Sequence, residues 1–583
     1  MAQQTEREWS AHHSLKGKGA CASFKAKPLL EGRAPFMSRP FWPAFNIPIM
    51  ISPVNHYEQL VCARILDFLS SKTHWNRGLW NVGTILALQE VLEASEAQRN
   101  GHLSEKTIRA ATSTAIRLSE QDPGLGTDQE RATLVGLLKS NGELRDDLLY
   151  EGLEYEAIAE LVQQATAIYL RNWSRVLGAG QQLPLPERTA RAIAAHMLDA
   201  GFHSDFLHRW WTRQIRRDEQ NVRSLSHVLQ EASALVISPV NEYAVLVAFP
   251  SPLIPPQGLL PPQSWRNATE VAEWLANNAI ETETVRQQGG LLLTVSAREP
   301  ESAVQVAAEL VETFYARILL SLRKEIKPLP FAWVAGSRKR FSLERRLRGI
   351  KIGAMRRENR IWPESEADAY IDPAIELLTP LQVGSPSAAI AGGWAAIESL
   401  LGEPKNKRAD PAERLATIVA CSFPRAELTD LAYAFAEQGG RFRDEVLAAA
   451  TNKDRAELTA RWIIADVLPT SLSWSDKAVV ERMKDLFAHP QSRLKSIRDH
   501  VNDTFARLYR QRNLVLHAGL TQAVALRATL RTAAPLVGAG LDRISHARFV
   551  KNMRPVQLAG RARTSLDNVT AESPLKCIDL LGI

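Results

Sequence analysis

Apolar residues recur at steps of three and four along most of this chain, and in short β-branched or aromatic runs along one central stretch. Between about 55 and 230, Tyr57, Leu60, Val61, Ile65 and Phe68 follow the helical step, as do Ile85, Leu88 and Leu92, and Ile158, Leu161, Ala165 and Tyr169. That period puts one apolar stripe on each helix. Gly-, Pro- and Asn-containing breaks near 100, 123–127, 141 and 178–186 separate the helices and predict an all-α bundle. The character changes near 234. Ala234–Ile237, Tyr243–Phe249, Leu291–Val295 and Phe331–Val334 read as strands, with helices over 268–279 and 301–322 and a Pro-rich loop from Pro250 to Pro262. After Pro386 the helical period returns, until a last segment (about 553–583) whose Pro, Gly and Arg content predicts loop. The expectation is a mainly α fold with a central α+β unit. It divides into a basic flexible arm (1–44), a helical domain (45–230), an α/β or α+β domain (231–384) and a C-terminal helical domain (385–583).

A heptapeptide recurs. Ile51–Tyr57 and Ile237–Tyr243 are identical at six of seven positions, differing only at His56 and Glu242. A duplicated substructure and a recurring strand-turn both fit; the flanks do not continue the match, which favours the strand-turn.

Composition narrows the class. The chain has 583 residues, too many for one core, with 45% apolar and 23% charged residues, as in ordinary globular proteins. The net charge of +7, from 71 basic and 64 acidic residues, permits nucleic-acid binding without requiring it. Cys21, Cys62, Cys421 and Cys577 are far apart and form no C-x-x-C, so reduced thiols in a cytoplasmic protein are expected. The N-terminal residues do not read as a signal peptide, and no apolar run approaches the roughly 20 residues that a membrane span needs. Neither His12-His13 nor His196, His203 and His208 is completed by carboxylates or thiols into a ligand set, so no metal or cofactor is expected. Phosphate-loop, zinc-protease and serine-hydrolase motifs do not occur. Gly336-Ser337 resembles the start of a minimal nucleotidyltransferase motif, but the paired aspartates do not follow.

Candidate chemistry lies in the last fifth. Leu494, Ile497, Val501, Phe505 and Leu508 form one narrow helical stripe, and the next step lands on Arg512. A guanidinium aimed at a buried seam needs an anionic partner. Asn513 and His517, four apart, share a helical face, where the amide could fix the imidazole tautomer. Arg512 and His517 diverge by roughly 140° on a straight helix, so a dimer seam or a break near Gly519 would be needed to aim both at one phosphate.

With Arg512, Asn513 and His517 in an R-x4-H pattern, and with the helix Ala388–Gly402 carrying Trp394 and Glu398, the segment from about 387 to 545 resembles HEPN domains. Their signature is an arginine, commonly followed by a polar residue, and a histidine four to six positions on. The resemblance covers a quarter to a third of the chain and implies an insertion over about 403–490. It implies a compact helical bundle acting as a homodimer. The activity would be metal-independent endoribonuclease cleavage to 2′,3′-cyclic phosphate and 5′-hydroxyl ends, in an anti-phage, abortive-infection or toxin effector answering a phage-derived or protein trigger. His517 would be the general acid or base, Arg512 would neutralise phosphoryl charge, Asn513 would orient His517 or bind phosphate, and Glu398 would pair with Arg512 at rest. The alternative is an inactive HEPN-type module for RNA or nucleotide binding or for dimerisation. Arg338, Lys339, Arg340, Arg345, Arg346 and Arg348 belong to the densest basic segment, 336–360, where ten Lys/Arg face two Glu with Phe341 interleaved. That segment fits either an RNA backbone track or a solvated face. Arg209–Arg217 sets Trp210 and Trp211 beside cations, and there a core role is favoured over base stacking.

Overall fold

The computed structural model describes residues 56–583 apart from 141–142, 146–147, 149, 181–182, 217–223, 252–261, 279–285, 345, 363–370 and 404–409. The basic arm, Cys21, His12-His13 and Arg345 therefore lie outside the described residues.

Eight helices open the described chain: α1 (His56–Leu69), α2 (Thr84–Arg99), α3 (Glu105–Ser119), α4 (Asp128–Leu137), α5 (Leu153–Ala179), α6 (Pro186–Asp199), α7 (Ser204–Arg216) and α8 (Leu225–Ile237). A two-residue hairpin, β1 (Lys139–Ser140) with β2 (Glu143–Leu144), follows α4. Thr127 starts α4 with a reciprocal capping box to Glu130, which satisfies helix N–H groups that would otherwise be orphaned. The apolar stripes meet in one core containing Ile65, Leu88, Tyr169, Trp173 and Trp211. Trp211 is fully buried and Trp210 packs against the same core, so the sequence expectation for these rings stands.

A five-stranded antiparallel sheet comes next, in the order β4 (Trp265–Arg266), β5 (Gly290–Ala297), β3 (Asn241–Ala248), β6 (Phe331–Val334), β7 (Arg340–Ser342). Alternation along β3 divides its two faces. Val245 and Val247 join the core beneath α10 (Pro300–Leu322), while Leu246 and Ala248 join Val271 and Leu275 of α9 (Ala268–Asn277). Ala234–Ile237 ends α8 and is not a strand, because the apolar stripe of Leu225, Val228, Leu229, Ala232 and Val236 runs through it and holds the helix against the N-terminal core. The two copies of the heptapeptide end differently: Tyr57 is helical in α1, whereas Tyr243 is in β3. Positions 51–55 of the first copy lie outside the described residues.

The short α11 (Gly353–Arg357) leads into the C-terminal helices α12 (Asp372–Val383), α13 (Pro386–Leu401), α14 (Pro411–Ala436), α15 (Gly440–Ala448), α16 (Asn452–Ile464), α17 (Trp474–Ala488), α18 (Pro490–His517), α19 (Leu526–Lys551) and α20 (Pro555–Asn568). The span taken as an insertion thus carries α14 to α17, and α14 is central to the core. The tail expected as loop contains α20, whose Leu558, Ala562 and Leu566 are buried; its Pro555 sits at the helix start, where no N–H is needed. Gly392 lets α12 and α13 approach closely, since a Cβ there would meet the Leu377 carbonyl oxygen at 2.3 Å. The C-terminal core also takes Trp80, Ala94, Ala97, Leu103 and Ile108 from the N-terminal helical region, so the described residues form one unit. No helix among the described residues is long and apolar enough to cross a membrane.

Candidate active site

From Thr504 to Val515, α18 is enclosed on several sides, packing against α13, α14 and α19 and bonding to the N-terminal helices. The stripe expected on one face therefore widens to most of the helix. The buried guanidiniums are those of Arg507 and Arg510, whereas Arg512 is half-buried. Both buried cations converge on Glu90 of α2: Arg507 Nε donates to Oε2 at 2.7 Å and Arg510 Nη2 to Oε1 at 2.6 Å. Burial by itself would raise the Glu90 carboxyl; the two guanidiniums outweigh that and hold it below the ordinary range. One turn earlier, Thr504 Oγ1 donates to the Trp80 carbonyl at 2.7 Å. His500 Nδ1 receives Arg117 Nη1 at 2.6 Å, and burial together with that cation keeps the imidazole neutral, well below its usual range. These contacts fix α18 on the N-terminal helices. Glu90 was not legible as a partner, because it lies some four hundred positions away inside an ordinary helical pattern.

At the end of this clamped helix, the side chains of Arg512 and His517 meet. Arg512 Nη1 lies 2.9 Å from His517 Nε2 and 3.0 Å from Asn513 Oδ1. Five residues rise about 7.5 Å along the axis, which the long arginine side chain covers by running parallel to it. One chain therefore brings the pair together, and neither of the two arrangements considered on angular grounds, a dimer seam or a break near Gly519, is required for that. The helix persists through His517, and the break follows it: Gly519 takes φ +67°, and Leu520 N donates to the Leu514 carbonyl at 3.1 Å. Because arginine can only donate, Nε2 is the acceptor and the ring in this arrangement is the neutral tautomer with its proton on Nδ1. Asn513, expected to bond His517, is nearly buried and holds the Arg512 guanidinium instead.

His517 is exposed. Nε and Nη2 of Arg512 have no protein partner among the described residues, leaving one edge of the guanidinium free for an oxyanion. Tyr509, one turn back on the same side, is 39% exposed and rests against Trp394 of α13 with ring centroids 4.8 Å apart. Glu398, one turn beyond Trp394, is exposed, and Arg512's hydrogen bonds go to Asn513 and His517; the anticipated resting pair between Glu398 and Arg512 is not formed.

Residues of the basic segment 336–360 line a cleft that none of Arg512, Asn513 and His517 borders. Lys339, Arg340, Arg346 and Arg348 line this cleft of about 930 Å³, and Arg338 is exposed. Arg348 has a structural task, donating to the carbonyls of Pro380, Leu381 and Gly384 at the end of α12. Arg346 pairs with Asp205, Lys339 pairs with Glu301 at 3.0 Å, and the Arg340 guanidinium lies over Phe331. No group of three His, Cys, Asp or Glu side chains among the described residues could hold a metal ion. The described thiols of Cys62, Cys421 and Cys577 are all free, and burial pushes each up to about 12.

Comparison with protein-family models, with curated proteins and with solved structures found no match to this chain.

Proposed function

We propose that the chain is an endoribonuclease of the HEPN type, with Arg512 and His517 as its reacting pair. The observation that carries the reading is their contact on an exposed surface, with a free guanidinium edge beside the imidazole. His517 removes the proton of a ribose 2′-hydroxyl, that oxygen attacks the adjacent phosphorus, and the 5′-oxygen leaves after protonation. The products are a 2′,3′-cyclic phosphate and a 5′-hydroxyl. Arg512 neutralises the charge that builds on the phosphoryl oxygens, and Asn513 keeps its guanidinium pointed outward. DNA lacks the attacking hydroxyl, so the mechanism selects RNA. Tyr509 offers an aromatic face to a neighbouring base. In this reading α13, α14, α18 and α19 belong to a HEPN-like bundle. The homodimer, the independence from metal and the defensive or toxic role answering a trigger come with the resemblance.

The test is digestion of end-labelled RNA by the purified full chain. His517→Ala and Arg512→Ala are each expected to lower cleavage by about 10²–10⁴-fold with folding unchanged. Cyclic-phosphate ends are expected in the products, and rates in EDTA should match those without it.

One observation favours a second reading. Arg512 occupies the Nε2 lone pair that a base would use, an arrangement that an inactive RNA-binding module could keep. A wild-type chain that binds RNA but leaves it intact would establish that alternative.

A further inference from the structure

The 930 Å³ cleft lies where the N-terminal helices, the sheet unit and the C-terminal helices meet, and none of the candidate catalytic residues lines it. Its volume is that of a small-molecule site. Eleven Lys/Arg and eight Asp/Glu line it. One wall is α19, where Arg527, Arg531, Pro535, Ala539 and Arg543 fall at four-residue steps, so a single helical stripe presents three guanidiniums to the cleft. The segment before α11 contributes Arg346 and Lys351.

These cations are only partly matched. Arg527 Nη2 pairs with Glu309 at 2.6 Å and Arg531 Nη2 with Asp199 at 2.7 Å. The Arg531 Nε is buried without a partner. Glu301 is shared between Arg209 and Lys339. Lys351 is exposed and has no hydrogen bond or ion pair among the described residues. Of the other acids lining the cleft, Asp205 takes both Nη groups of Arg346 and Asp542 pairs with Arg357 and Arg543, whereas Asp67 bonds Arg64 and Ser475 and Asp430 bonds His74 and Asn76. Guanidinium groups with spare donors lining a confined polar space match the oxygens of linked phosphates better than single carboxylates do.

We infer that this cleft is a binding site for a small ligand carrying two or more linked phosphates, held by Arg527, Arg531 and Lys351. Both a nucleotide and an inorganic oligophosphate have that chemistry. The inference does not depend on the ribonuclease reading, since it uses none of that site's residues.

Isothermal titration of the full chain in EDTA-containing buffer, with inorganic tripolyphosphate and separately with ATP, tests it. Both probes are expected to bind. Lys351→Ala and Arg527→Gln are each expected to weaken both by about tenfold, the loss of one charge-assisted contact. Lys351 is unpaired, so its removal leaves the melting curve of the protein unchanged and separates lost binding from lost folding. ATP binding more tightly than tripolyphosphate identifies a nucleotide site, and equal affinities identify a site for the phosphate chain alone. The inference is overturned if neither probe binds, if binding is the same in both variants, or if a 20-nucleotide RNA binds at the cleft while both small probes fail.

Discussion

Removing the Glu90 carboxylate is the sharpest perturbation of the architecture beneath the candidate site. Glu90, Arg507 and Arg510 are 1%, 2% and 3% exposed, and the two ion-pair contacts are 2.7 and 2.6 Å long. Glu90→Ala leaves two guanidiniums inside the protein with no counter-charge. Deleting one partner of a buried pair costs about 3–5 kcal/mol, because the remaining charge keeps its desolvation penalty and loses its compensation. That cost corresponds to roughly 10²–10⁴ in a local opening equilibrium. Hydrogen exchange read by mass spectrometry on peptides of α18 and α2 measures it without requiring two-state unfolding of the whole chain. Exchange of the slowest amides between Thr504 and Leu514 should accelerate by that factor. The triple variant Glu90→Leu, Arg507→Met, Arg510→Met should recover most of the protection, since well-packed apolar groups replace a buried ionic cluster at little cost. Acceleration of less than about fivefold in Glu90→Ala would refute the reasoning, because solvent would then be reaching these charges already. The pH dependence has a definite sign. The folded carboxyl titrates below its unfolded value of about 4.3, so the contribution is complete above that value and disappears as pH falls through the depressed folded one.

Other outcomes follow from the same contacts. His196, stacked 4.2 Å from Tyr169, is pushed down to about 3 by burial. The native state therefore loses stability as pH drops from about 6.5 toward 3, and His196→Phe should flatten the fall in melting temperature over that window. Gly392→Ala should lower stability by about 1–3 kcal/mol, seen as a lower urea midpoint, because the added methyl meets backbone of α12 and not a movable side chain. Cys421 and Cys577, buried and with thiols at about 12, should react with a disulfide reagent at pH 8 only after denaturant is added; labelling of either in the native protein would contradict their burial. Arg348→Ala removes three hydrogen bonds from the end of α12 and should speed exchange in Ile375–Gly384 while leaving RNA cleavage unchanged.

What the sequence determined by itself was local. Three- and four-residue periodicity marked the helices on both sides of the sheet, because each must bury one stripe, and β-branched and aromatic runs marked β3, β5 and β6. It also placed Arg512, Asn513 and His517 near the end of one amphipathic helix, since spacing along a helix fixes angular position. Tertiary structure decided the rest. Whether Ala234–Ile237 pairs as a strand or finishes α8 depends on the core it touches, and Tyr57 and Tyr243, the last residues of two copies of one heptapeptide, lie in a helix and in a strand. Which arginine of α18 is buried depends on Glu90, and which residue holds the Arg512 guanidinium depends on side-chain reach, not on helical angle. The cleft cations come from separate elements across the chain, and only the folded arrangement leaves their charge partly unmatched. Interactions between distant segments are set by packing, and no period along a single segment encodes them.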